Sequence, residues 1–426
     1  MDKPNFLILV LDSARKDGFS CYGNKKKTTP NIDELAKESM VFDNAFSAGT
    51  WTPASHASIF SGKLPSRTGS TTPDIVFDSK RSIAKLFKEK GYYTFGMYTV
   101  AHITDERNYS KGFDEYIDAT MDISRWSLDW RMWLDTLSDR IFGRRFRTRF
   151  TTKLFKEKLS EAEEPFFGFL NLVSSHKFYN SPFWIKNKFV ETKGNEEKIN
   201  KLMHDYNSKM EEEVLEGTLK VEDEDWQMLK EYFYSDLYRT DKFVGRILDH
   251  LKKEEIFDNT VILVTSDHGD EFGEHEVFEH GHIYDTCLNI PFILKTTDGK
   301  NGRFSKLVSH LDILPTFMKL AGFDFDGFTD GCSIFPVEEY HRDFIISEKG
   351  GSDEKPDIWT DSKSWAIRTE KYKFIKRKGF ENELYNIVED EEEQNNLIQE
   401  EKEKAEELEK KLLKRLSLEN IDGIDF

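Results

Sequence analysis

The chain has 426 residues, 38% hydrophobic and 14% aromatic, enough apolar material for a large buried core and too much for a disordered chain. A formal charge of −18 argues against general nucleic-acid binding, though a local basic patch could still hold an anionic substrate. Cys21, Cys287 and Cys332 are too few and scattered for a disulfide framework, and no apolar run approaches the roughly 18 residues of a membrane span, so a cytoplasmic location is expected.

Residues 5–11, NFLILVL, form a continuous apolar run that ends abruptly in Asp12 and Ser13, as a buried parallel strand would. In open α/β sheets the binding crevice lies at the carboxyl ends of strands, which puts Asp12, Ser13, Arg15 and Asp17 on a functional rim. Residues 30–39 read as a Pro-started helix and lead into strand-like MVFDNAF. The stretch TWTPASHASIFSG, residues 50–62, then joins a loop to a helix and sets hydroxyls and a histidine at the junction, where free backbone N–H groups favour an anion.

A helix over residues 82–90, stopped by Gly91, precedes the strand YYTFGMYTV, and this alternation predicts a mostly parallel sheet flanked by helices. Residues 126–158 change texture. Trp126, Trp130 and Trp133 are followed by Arg140, Arg144, Arg145, Arg147, Arg149, Lys153, Lys156 and Lys158, a helical insertion (about 120–160) with a basic face. That face is either solvated, a lid that attracts anions, or a contact to an acidic membrane surface. PFFGFLNLV, residues 165–173, is another buried strand and ends in Ser174, Ser175 and His176. Residues 186–225 carry few apolar anchors and read as a helical surface excursion. A long amphipathic helix over 226–252 precedes TVILVT, which breaks into SDHGDEFGEH. Another helix starts near Asp312, with Pro315 in its first turn and Gly322 as its stop. After residue 330, DFIIS, SWAIRT and YKFIKRK alternate before a charged helix over 400–416. The expected division is 1–330, a catalytic α/β domain, and 331–426, a small C-terminal subdomain with a short antiparallel sheet and a helix.

Three strand ends present Asp12, the Thr52 region, and Asp267 with His268. Carboxylates, an imidazole and a hydroxyl suit Mg, Mn, Ca or Zn rather than a thiolate-selected ion.

In these segments the chain resembles the sulfatase branch of the alkaline phosphatase superfamily. The resemblance rests on LDSARKD at 11–17, TTPNIDELA and VFDNAFS, SSHKFY at 174–179, SDHGDEFGEH at 266–275, HLDILPTFMKLAG at 310–322 and ELYNIVEDEEEQNNL at 383–397. In the family's nucleophile motif, the nucleophile position falls on Thr52, with Ser55 at the motif serine, Ala54 in place of its proline and His56 in place of its arginine. The resemblance implies one divalent metal held by Asp12, Thr52, Asp267 and His268. It implies His280 and His176 on the substrate side, and His56 beside the nucleophile. Ser13 replaces the second aspartate of the usual pair. Two-metal relatives need an aspartate with a histidine four residues on, whereas Asp241 is followed there by Gly245.

Sulfatases convert the motif cysteine or serine to formylglycine, and threonine is not a substrate for that conversion. No formylglycine is therefore expected. The implied activity is metal-dependent hydrolysis of a small anionic ester, with Thr52 favouring phosphodiester or phosphonate ester hydrolysis, or phosphoryl transfer. The alternatives are a true sulfuric ester hydrolase and a non-catalytic binding protein on the same fold.

Overall fold

The computed structural model describes residues 3–71, 76–77, 81–120, 145–205, 208–325, 327, 329–350 and 362–417. Its strands are β1 (Asn5–Leu11), β2 (Met40–Phe46), β3 (Tyr93–Tyr98), β4 (Glu115–Asp118), β5 (Phe166–Leu172), β6 (Thr260–Thr265), β7 (Glu271–Phe272), β8 (Phe278–Glu279), β9 (Phe292–Lys295), β10 (Gly302–Ser309), β11 (Ile345–Lys349), β12 (Ser364–Arg368), β13 (Tyr372–Arg377) and β14 (Glu383–Asn386). The large sheet has the order β10-β2-β9-β6-β1-β5-β3-β4. Its five strands from β6 to β4 run parallel, whereas β9 is antiparallel to both β6 and β2, so the sheet is mixed.

The central strands are the apolar runs of the sequence. Every residue of β1, β5 and β6 is buried, which explains why they show no alternation: a strand covered on both faces has no solvent side to mark with polar residues. Strands β4 and β9 carry weaker signals. EYID is half-buried and rich in charge, and FILK is only four residues long, directly after Pro291.

By contacts the chain forms two compact units, interleaved in sequence. The first takes Met1–Asp43, Ser82–Ser266 and Pro291–Phe304. Its longest helix, Asp223–Lys253, starts with a capping box between Glu222 and Asp225 and packs against the helices Pro30–Lys37 and Arg145–Glu161. The basic insertion is helical over Arg145–Glu161, with Phe155 and Leu159 buried and Lys158 paired with Glu115 and Glu161. Trp126, Trp130, Trp133, Arg140 and Arg144 lie outside the described residues. The excursion beyond residue 186 does find anchors: Ile199, Leu202 and Met203 of Glu196–Asp205 are buried. No helix among the described residues is long and apolar enough to cross a membrane.

The second unit takes Asn44–Arg81, Asp267–Ile290 and Ser305–Phe426. It holds the antiparallel sheet β11-β12-β13-β14 and the helix Lys402–Leu416. That helix buries Ala405, Leu408, Leu412 and Leu416 in one cluster with Trp365, Ile367, Phe374 and Leu384. The three- and four-residue spacing of these apolar positions puts them on one face, which explains how so charged a helix docks.

Candidate active site

The helix Thr52–Ser61 begins after Trp51 in extended conformation, has Pro53 in its first turn and ends at Gly62, whose φ of 65° is left-handed. All ten residues are buried. Its small polar side chains are accommodated by bonding back to helix carbonyls: Ser55 Oγ donates to Trp51 O and Thr52 O (both 3.1 Å), and Ser61 Oγ to Ala57 O (2.6 Å). His56 Nδ1 donates to Thr52 O at 2.7 Å. Burial above all, with His268 nearby, pushes His56 down to about 3, so its imidazole is neutral at physiological pH. It anchors the Thr52 backbone instead of supplying the positive charge an arginine would bring.

Asp267 and His268 follow β6 after Ser266 and are fully buried. His268 Nδ1 lies 3.1 Å from Gly269 O, a contact that calls for a proton on Nδ1. Its Nε2 then faces Thr52 Oγ1 at 3.3 Å and Asp267 Oδ2 at 3.4 Å. A lone pair aimed at a carboxylate in a buried site is repulsive unless a cation, a proton or a metal ion, lies between them. This donor set of imidazole nitrogen, carboxylate and hydroxyl fits a divalent ion of the Mn, Zn, Ca or Mg group.

Ser47 holds the Asp267 backbone in place. Its hydroxyl lies 2.6 Å from Asp267 O, 2.5 Å from Gly49 O and 3.2 Å from His310 Nδ1. One hydroxyl has one proton, so Ser47 donates to one carbonyl at a time. Neither Ser47 nor His310 was among the expected site residues, although His310 opens the HLDILPT motif.

His280 Nδ1 lies 3.0 Å from Asp270 Oδ1, and the His280 ring is centred 4.4 Å from that of His268. Ligand atoms of His268, Asp270 and His280 all lie within 4.8 Å of one another. Thr52, His56, Asp267, His268 and His280 are thus brought together in the second unit. Asp270 is the member of the group that the sequence did not single out.

Asp12 and His176 belong to the first unit. The Asp12 carboxylate accepts from Ser13 Oγ and Asn171 Nδ2, both at 3.3 Å, and its backbone O from Ser175 Oγ at 2.6 Å. Ser13, in the usual second aspartate's place, is left-handed with φ of 56° and serves as a hydrogen-bond donor to Asp12. His176 follows the turn Val173–Ser175 and is half-buried. Asp241 has a structural task. It accepts from Asn31 N (3.0 Å), Ile32 N (2.8 Å) and Asn31 Nδ2 (2.6 Å), capping the helix Pro30–Lys37. A Cβ on Gly245 would come within 2.5 Å of Asn31, so the position where a two-metal relative has histidine is closed here by packing.

A family model described as Sulfatase matches residues 4–323, and one described as N-sulphoglucosamine sulphohydrolase, C-terminal, matches residues 273–421. The chain is 25% identical to an arylsulfatase of Clostridium perfringens, covering 92% of this chain and 91% of that protein. It is also 25% identical to an N-acetylglucosamine-6-O-sulfatase of Bacteroides thetaiotaomicron, covering 92% and 82%. In fold it is similar to a phosphonate monoester hydrolase of Agrobacterium radiobacter, with a TM-score of 0.80 at 19% identity over 97% of this chain and 96% of that one.

Proposed function

The chain belongs to the sulfatase family, and from that premise we propose a metal-dependent ester hydrolase in which Thr52 is the nucleophile and phosphodiesters or phosphonate esters are preferred to sulfate esters. The observation that carries this reading is Thr52 Oγ1, at the start of a buried helix, 3.3 Å from Nε2 of His268. A divalent ion held by Asp267, His268 and Thr52, with Asp12 added on the strength of the resemblance, would favour the Thr52 alkoxide and offset charge on the transferring group.

Thr52 Oγ attacks phosphorus, the new O–P bond forms as the P–O bond to the alcohol breaks, and the alcohol leaves with a proton. Water then attacks the phosphothreonine, the Oγ–P bond breaks, and Thr52 recovers its proton as the acid product departs. His56 keeps the Thr52 backbone fixed through both steps by its 2.7 Å bond. His176 and His280 meet the substrate, a small anionic ester, by analogy with the family's substrate-side residues. A second reading, sulfuric ester hydrolysis, is supported by the match to an arylsulfatase over nine-tenths of both chains.

The test is turnover of aryl phosphodiester, phosphonate monoester and aryl sulfate substrates by purified protein supplied with Mn, Zn, Ca or Mg. Phosphodiester or phosphonate turnover that disappears in Thr52→Ala is expected. Aryl sulfate turnover that survives Thr52→Ala, or the lack of any phosphoester turnover, would overturn the reading.

A further inference from the structure

The hairpin β7–β8 pairs Glu271 with Glu279 and Phe272 with Phe278, so the next position beyond its open end sets Asp270 opposite His280. Residues ten apart in sequence thereby become cross-strand neighbours, close enough for their side chains to meet. They do meet, with His280 Nδ1 3.0 Å from Asp270 Oδ1. The Asp270 side chain is fully buried, while that of His280 is 21% exposed. One face of the His280 ring lies against His268, whose Nε2 reaches the Thr52 hydroxyl. A buried carboxylate fixed on Nδ1 sets the ring plane and places the proton on Nδ1, so that Nε2 carries the lone pair.

We propose that Asp270 is a positioning residue: it holds His280 by Nδ1 so that Nε2 is presented to the group being transferred from the ester. This inference rests on the Thr52 reading for the identity of that group. Its geometric part stands on the hairpin alone.

Two measurements on the full chain test it. In protein labelled with 15N-histidine and assigned with His280→Ala, the imidazole shifts at about pH 8.5, above the ordinary histidine range, should show the His280 proton on Nδ1 in the wild type and a tautomer mixture in Asp270→Asn. A mixture already present in the wild type would overturn the proposal. In kinetics, Asp270→Asn should lower kcat about 10- to 100-fold with KM changed by less than about threefold. Asp270→Glu, which restores a carboxylate, should recover part of that loss. In a His280→Ala background Asp270→Asn should cost almost nothing more. An equal loss in both backgrounds, or loss of bound Mn from Asp270→Asn, would make Asp270 a fold or metal residue and overturn the proposal. If the wild type hydrolyses no ester, the Thr52 reading falls by itself and the tautomer measurement decides the Asp270 inference.

Discussion

Two helices of this chain start with proline in the first turn and end differently occupied at their N-termini. In Pro30–Lys37 the free N–H groups of Asn31 and Ile32 are taken by the buried carboxylate of Asp241, and Thr29 Oγ1 bonds Asp33. In Thr52–Ser61 the cap residue Trp51 gives no side-chain hydrogen bond, and Trp51 Nε1 and the hydroxyl of Thr50 are buried without a hydrogen-bond partner among the described residues. The same sequence device thus serves two ends. Where the protein supplies its own anion, the helix start becomes a structural joint. At the start of Thr52–Ser61 the cap residue gives no side-chain hydrogen bond among the described residues, and Thr52 stands at that electropositive end.

Thr52→Ala probes the second helix and carries the largest expected effect. Ester turnover should fall by at least about 10³-fold while the melting temperature moves by only about 2 °C. A large drop in melting temperature would make this helix start a structural joint as well. Asp241→Ala probes the first helix and should reverse the pattern, costing about 2–4 kcal/mol in denaturant unfolding because it leaves buried N–H groups without acceptors. A cost below about 0.5 kcal/mol would remove the contrast.

The same carboxylate should leave a pH signature. Burial, outweighing its hydrogen bonds, raises Asp241 above the ordinary carboxylate range to about 6. Between about pH 4 and 6 the folded chain therefore keeps a proton there that the unfolded chain has released, whereas near neutral pH the cap is the carboxylate anion. The stability this group contributes is full below about pH 4 and is lost as pH rises through about 6. Asp241→Asn should flatten that part of the stability curve, and an unchanged slope would count against the protonated cap. Gly245→Ala should give the smallest effect, about 1–2 kcal/mol, by pushing Asn31 off Asp241. A neutral or stabilising result would show that Asn31 yields freely.

The strands that position the site were legible because they are buried on both faces: NFLILVL, PFFGFLNLV and TVILVT each stop at a polar residue where the sheet ends. Asp267 and His268 stood out for the same reason, following such a stop, whereas Thr52, at a helix start, was singled out by the resemblance to the family's nucleophile motif. The link between Asp270 and His280 was not. It depends on a hairpin of two-residue strands, too short for alternation to show, with Gly273 at φ of 91° and Glu276 at φ of 60° making the turn. Ser47 escaped notice because a serine that bonds to a backbone carbonyl leaves no periodic trace. Asp241 was read as half of a missing metal site, and only the position of Asn31 and Ile32 reveals it as a cap.

The hairpin also bears on how this part of the chain tolerates changes in length. Its turn runs from Gly273 to Val277, whose backbones bond at 2.9 Å. Residues inserted at the tip of that turn lengthen the loop and leave Phe272 opposite Phe278, so Asp270 and His280 still face each other. A single residue removed between Phe278 and His280 shifts every later side chain to the opposite face and separates the pair. Loop length at the tip is therefore free to drift among variants of this chain, whereas the spacing from Asp270 to Phe272 and from Phe278 to His280 is locked in number.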